Sequence, residues 1–150
     1  MSRVAERPHL SLADYLAWEA GQPVRHEYLA GEVFAMTGGT LDHNRLTGNL
    51  WFALRIRLGG TPCEVFASDA KVRVDAADAC FYPDVVVTCS EADRRAEQVL
   101  REPRVIVEVL SPGTAAYDWG AKFEAYSRLP GLAEYVLVEA GRIAVHVLRP

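Results

Sequence analysis

The chain has 150 residues, 50% of them hydrophobic and 24% charged, the composition of an ordinary globular domain with a sizeable core. The net charge of −4 supplies no global basic field to advertise a nucleic-acid partner. That leaves room for a metal-dependent nuclease, whose carboxylates hold cations while its basic residues cluster locally. No apolar stretch reaches membrane-spanning length, and Met1–Leu10, with Arg3, Glu6 and Arg7, has no apolar run of the signal-peptide kind.

Ser11 caps a short amphipathic helix over residues 12–18, closed by Gly21 and Pro23. Residues 26–29 and 32–36 flank Ala30-Gly31 as a hairpin. After Gly38-Gly39, Thr40 or Asp42 caps a helix running to about Leu58, ended by Gly59-Gly60 and Pro62. Residues 64–74, 81–89 and 104–110 are three strand candidates rich in Val, Ile and Phe. The polar stretch 90–102 has room for one or two helical turns. Ser111-Pro112-Gly113-Thr114 is a turn, and residues 115–129 form a second helix stopped by Pro130-Gly131. Residues 134–138 and 142–148 make a last strand pair around Ala140-Gly141. The order is helix, three strands, helix, strand, with an added N-terminal helix and hairpin. One α/β domain over residues 1–150 is expected, with helices packed on a central sheet. Cys63, Cys80 and Cys89 are odd in number and lack C-x-x-C spacing. They read as reduced thiols of a cytoplasmic protein, not as a zinc site or a disulfide frame.

Three ionisable residues sit where a folded protein ordinarily has none. Asp84 lies in Phe81-Tyr82-Pro83-Asp84-Val85-Val86-Val87 and Glu108 in Val105-Ile106-Val107-Glu108-Val109-Leu110. Lys122 projects into a helix sector formed by Ala121, Ala125, Tyr126 and Leu129. Such groups are rarely buried unless paired or bound. Each has a plainer reading. Asp84 at a strand end could accept backbone hydrogen bonds, and Glu108 could sit in a buried salt bridge. Lys122 has Asp118 at i,i+4 spacing. If the two strands are neighbours, Asp84 and Glu108 can converge on one hard cation such as Mg²⁺. His43 falls on the apolar face of its helix, as a core histidine or a proton relay. Glu27 is a third acidic ligand or a solvated strand residue.

Pro83-Asp84 followed by Glu108-Val109-Leu110 resembles the PD-(D/E)XK, or restriction-endonuclease-like, nuclease superfamily. Around these motifs stand the segments 25–32, Asp42-His43-Asn44, Ser111-Pro112 and 117–126. Together, from about Leu12 to the end, they resemble the Uma-type endonuclease family. The chain departs from the superfamily at Leu110, where a lysine is usual; Lys122 matches a lysine moved to the following helix. Gly113 stands where serine is frequent and Trp119 where arginine is, which would weaken phosphate binding. Members usually continue beyond this chain's last residue, so truncation at the C-terminus is an expectation of the resemblance.

The resemblance implies a Mg²⁺- or Mn²⁺-dependent endonuclease acting on DNA. Asp84 and Glu108 would hold the metal, Lys122 would act on the attacking water or the phosphate charge, and His43 and Glu27 would complete the site. Arg45, Arg55, Lys71 and Arg73 are the phosphate-contact candidates. A homodimer with one site per strand would be the simplest double-strand cutter. Two rivals stand beside this reading: a non-catalytic DNA-binding or assembly module of the same fold, and a phosphodiesterase of a small metabolite, which the negative charge favours.

Overall fold

The computed structural model describes residues 2–3 and 9–150. Met1 and residues 4–8, most of the segment read above for a leader, lie outside the described residues. No helix among the described residues is long and apolar enough to cross a membrane.

The first strand, β1 (Ser2–Arg3), pairs with β3 (Glu32–Ala35). Helix α1 (Leu12–Glu19) starts where expected, with the Ser11 hydroxyl accepting from Asp14 N at 3.1 Å. β2 (His26–Leu29) and β3 form the hairpin. Its two turn residues, Ala30 and Gly31, have φ of 49° and 88°, the left-handed pair that a two-residue hairpin needs. A Cβ on Gly31 would run into the His9 ring, so glycine is required there twice over. Helix α2 (Leu41–Leu58) is capped by Thr40, whose hydroxyl accepts from His43 N at 3.2 Å.

Two of the expected strands are each divided. Residues 64–74 form β4 (Glu64–Ala67) and β5 (Lys71–Val74), separated by a turn at Asp69 with φ 78°. The strand expected over 81–89 begins at the end of β6 (Ala79–Phe81), breaks at residues 82–84 and resumes as β7 (Val85–Thr88). Pro83 has no N–H to give a ladder, so pairing stops there and the chain passes from one sheet to the other. After β7 come α3 (Glu91–Arg95), β8 (Val99–Leu100) and β9 (Pro103–Leu110). The helix read over 115–129 is two short helices, α4 (Ala115–Trp119) and α5 (Ala121–Tyr126). The break is at Gly120, whose backbone leaves helical geometry at φ −100°, ψ −95°. β10 (Glu134–Glu139) and β11 (Val145–Leu148) end the fold.

The expected single central sheet is two sheets. One has the order β11-β10-β9-β7-β4, the other β1-β3-β2-β6-β5-β8. In the five-stranded sheet the chain order α2, β4, β7, β9, α4–α5, β10 reproduces the expected helix, three strands, helix, strand. β9 and β10 are parallel, joined through α4 and α5, as a parallel pair requires a crossover. β5 and β6 are diverted into the six-stranded sheet, because the turns at Asp69 and Pro83 both cross between sheets.

The five-stranded sheet is buried on both faces. Val65, Val85, Val87 and Val107 pack against Leu46, Leu50, Leu54 and Leu58 of α2. On the other face Val86, Ile106 and Leu137 join Val72, Val74 and Phe81 of the second sheet and Ala125, Tyr126 and Leu129 near α5. Each fully buried side chain of this size contributes about 1.5–3 kcal/mol. Glu108 shares its strand face with Ile106, so it points into the space between the two sheets.

The cysteine expectation is overturned. Cys63 and Cys89 form a disulfide, and Cys80 is a buried free thiol. β4 and β7 pair with Glu64 opposite Thr88. One residue further out, Cys63 and Cys89 are therefore neighbours, with Cα atoms 4.0 Å apart. A sequence separation of 26 gives no hint of this until the two strands are known to pair.

Candidate metal and phosphodiester site

Pro83 organises the site. Tyr82 N, before it, donates to Glu27 Oε2 at 2.7 Å. Asp84 N, after it, donates to Glu108 Oε1 at 3.1 Å. At the crossover between sheets these two N–H groups lack ladder partners, and two buried carboxylates satisfy them. Asp84 is thus not a mid-strand residue. It sits just before β7 and accepts from Val109 N through Oδ2 at 2.7 Å. β7 and β9 are adjacent and antiparallel, with Val85 opposite Val107. Asp84 and Glu108 line one cavity of about 290 Å³. The plain reading of Asp84 as a backbone acceptor at a strand end holds, and its side chain also lines the cavity.

Lys122, on α5, is buried to 3% exposure among carboxylates. Its Nζ lies 2.6 Å from Glu108 Oε2, 3.1 Å from Glu27 Oε2 and 3.6 Å from Asp118 Oδ1. It also stands over the rings of Phe81 and Tyr117, at 5.4 and 5.7 Å from their centroids. Burial pulls an ammonium pKa down, but here Glu108 and Glu27 outweigh it and hold Lys122 well above its usual value. Burial pushes Glu108 well above the ordinary carboxylate range, against the pull of Lys122. The neighbouring carboxylates Asp84, Asp118 and Glu27 push the same way. Glu27 and Asp118 are raised for the same first reason, burial, with Lys122 opposing.

His43, on the first turn of α2, completes the rim. Its Nε2 is 3.3 Å from Asp84 Oδ2. The hydrogen bond to Asp84 raises its pKa, against a smaller lowering from burial. The five residues singled out as catalytic, Glu27, His43, Asp84, Glu108 and Lys122, all line the same cavity. They come from five separate parts of the fold: β2, α2, the β6–β7 crossover, β9 and α5.

The basic candidates are placed differently. Arg45 is exposed on α2 and paired with Asp42 at 2.5 Å. Arg73 is paired with Asp75 at 2.6 Å. Arg55 and Lys71 line a second groove that adjoins the first at Ser68. None of the four lines the acidic cavity. Arg25 does, with its guanidinium 2.8 Å from Asp69 and over the Tyr82 ring. Sequence reasoning missed Arg25, because next to a hairpin it looks like any surface arginine. It also treated Asp118 only as a helix partner of Lys122. Asp118 is 3% exposed and lines the cavity with its Oδ2 accepting from the Thr114 hydroxyl. The signal was present in its position on the apolar face.

The donor set suits a hard divalent cation. It is all oxygen: four carboxylates, Glu27, Asp84, Glu108 and Asp118, line the cavity, and three of them, Glu27, Glu108 and Asp118, surround one buried ammonium. Glu27 Oε1 is buried with no hydrogen-bond partner. No group of three or more His, Cys, Asp or Glu side chains among the described residues stands as a ready-made cage. A cation held by one or two carboxylates with water in the remaining positions is the arrangement Mg²⁺ favours.

The chain matches the family model Uma2, described as "Putative restriction endonuclease", over residues 12–150. It is 39% identical over 138 residues to the uncharacterized protein slr1290 of Synechocystis sp. PCC 6803, covering 92% of this chain and 73% of that one. It is 34% identical over 141 residues to sll1609 of the same organism, covering 93% and 80%. Among solved structures it is similar in fold to "a putative nuclease belonging to DUF820" from Anabaena variabilis. The TM-score is 0.78 at 17% identity, covering 94% of this chain and 80% of that one. At that identity the likeness concerns the fold alone. The family model and both relatives span most of the chain, and on that ground the chain belongs to the Uma2 family.

Proposed function

We propose that this protein is a divalent-metal-dependent endonuclease that hydrolyses phosphodiester bonds of DNA. One observation carries the reading. Asp84, just before β7, and Glu108, on the adjacent strand β9, open into a single cavity with Lys122 behind them, and the carboxylates there outnumber the cations. A buried excess of negative charge is costly without a counter-charge. Asp84 and Glu108 would hold Mg²⁺ or Mn²⁺. When bound, such a cation supplies charge neutralisation at a phosphate and a water of lowered pKa.

The chain's own residues do the rest. Lys122 is held in place by Glu27 and Asp118, so its ammonium needs no reorganisation when negative charge grows on a phosphate oxygen. His43, held against Asp84, presents a second nitrogen donor at the rim. Arg25 at the rim, with Lys71 in the adjoining groove, would contact phosphates on either side of the scissile one without reading sequence. The two apolar sheet faces behind Glu108 keep bulk water from the lysine. An enzyme acting on cellular DNA works in the cytoplasm, where thiol reductants act on pairs such as Cys63–Cys89. A homodimer would present one site to each strand.

The test is nicking of supercoiled plasmid with Mg²⁺ or Mn²⁺. Wild-type protein should nick, Asp84→Asn should not, and chelator should abolish the wild-type reaction. Intact plasmid with every divalent metal tried would leave the non-catalytic module ahead. Binding of a DNA duplex that barely changes with salt would favour the small-metabolite reading, because duplex binding weakens steeply as counterions compete.

A further inference from the structure

Helix α2 has two apolar faces, and the fold uses one. Leu46, Leu50, Leu54 and Leu58 pack on the five-stranded sheet. Half a turn away, Leu41, Phe52 and Ile56 are 72%, 59% and 63% exposed. With Arg45 and Gly48 they form a stripe at spacings of four, three, four and four, which is one continuous helix face. No residue of this 18-residue helix is fully buried. Three large apolar side chains exposed along one helix face, rimmed by polar residues, mark an interaction surface.

We propose that this outer face of α2 is where two copies of the chain meet, with the helices antiparallel about a two-fold axis at Gly48. The proposal assigns a surface to the homodimer named above and is independent of the nuclease chemistry. Three features select a second copy as the occupant. Gly48 lies at the centre of the stripe, and a Cβ there would meet nothing within 4 Å. A bare backbone at the midpoint lets a second helix approach closely, whereas Leu41 and Ile56 stand at the two ends. Secondly, the stripe is complementary to itself when reversed. A two-fold axis near Gly48 brings Arg45 of one copy to the level of Phe52 of the other, and Leu41 to the level of Ile56. An arginine over an aromatic ring and an aliphatic pair are both favourable contacts. Thirdly, the ends are oppositely charged. Asp42 lies in the first turn and Arg55 in the last, each flanking the stripe. Antiparallel packing sets acidic end beside basic end and opposes the two helix dipoles. An isologous contact of this kind closes on itself and stops at two subunits.

Sedimentation analysis of the whole protein without DNA tests this. Wild type should sediment as a dimer at micromolar concentration. Phe52→Glu and Ile56→Glu, at exposed positions, should fold as wild type by circular dichroism and raise the dimer dissociation constant on the order of 100-fold, the size expected for a central aromatic anchor. Gly48→Cys should form a disulfide-linked dimer on mild oxidation, while Arg57→Cys, off the stripe, should not. A monomeric wild type overturns the proposal. So does a dimer that survives both glutamates, or a Gly48→Cys protein that does not cross-link. Nicking is measured on the same samples. Dimerisation without nicking would sink the nuclease reading and leave the interface standing; nicking by a monomeric wild type would do the reverse.

Discussion

Asp84 and Glu108 each accept a backbone hydrogen bond from the other's segment. Asp84 N donates to Glu108 Oε1 at 3.1 Å, and Val109 N, next to Glu108, donates to Asp84 Oδ2 at 2.7 Å. The two proposed metal ligands are therefore held in register by the protein itself, before any cation arrives. This is preorganisation of the kind a catalytic carboxylate pair needs.

That geometry predicts a separation of stability from activity at Asp84. Asp84→Asn keeps an oxygen to accept from Val109 N, so its urea midpoint should lie close to wild type. Asp84→Ala loses the hydrogen bond and should cost about 1 kcal/mol. Both should lose nicking. A large loss of stability in Asp84→Asn would show that the negative charge itself holds the fold.

Lys122 is expected to matter for stability as well as chemistry. Lys122→Met keeps an apolar stem but strands Glu27, Glu108 and Asp118 without their ammonium. Breaking a buried pair by removing one partner costs about 3–5 kcal/mol. Adding Glu27→Gln to Lys122→Met should recover part of this, because it removes one stranded charge. A double-mutant cycle measures the recovery. Additive effects, within about 0.5 kcal/mol, would mean that the 3.1 Å pair carries no coupling.

The cysteines give a sharp chemical readout. Burial, the main cause, pushes the Cys80 thiol up to about 12, and the other two are joined. Native protein purified without reductant should not react with a thiol reagent at pH 8. Unfolding without reductant should expose one thiol, and unfolding after reduction three. Three reactive thiols on unfolding alone would restore the reduced state expected from the sequence.

Among the basic residues, Arg25 and Arg73 should behave differently. Arg25 lines the acidic cavity, whereas Arg73 is engaged with Asp75 outside it. Arg25→Ala should weaken duplex binding and reduce the slope of log affinity against log salt by about 1. Arg73→Ala should leave that slope unchanged. Equal effects would move the DNA path away from the cavity rim.

Much of the site was legible because charge on an apolar strand or helix face is costly. Glu108 and Lys122 betrayed themselves in that way, one on β9 and the other on α5, and the fold brings them to 2.6 Å. The start of α1 was legible from a single hydroxyl at Ser11, and that of α2 was narrowed to Thr40 or Asp42, of which Thr40 is the cap. The crossings between sheets were not. Residues 64–74 and 81–89 carry continuous strand-forming character, and only tertiary pairing shows that Asp69 and Pro83 send the chain to a second sheet. The kink at Gly120 was hidden likewise, since residues 115–129 keep a helical period through it. The Cys63–Cys89 bond depends on the register of β4 with β7, which no spacing rule encodes. Asp118 shows the limit of pairwise reading: an i,i+4 partner was recognised, but not that both partners would be buried beside Glu108.

The most direct test of the proposed metal centre is anomalous diffraction from crystals soaked in Mn²⁺. The account predicts one ion touching carboxylate oxygens of both Asp84 and Glu108, with waters filling the remaining positions, and no ion in Asp84→Asn crystals soaked identically. A soaked wild-type crystal with the cavity free of manganese, or with the ion bound elsewhere and the Asp84–Glu108 pair untouched, would contradict it.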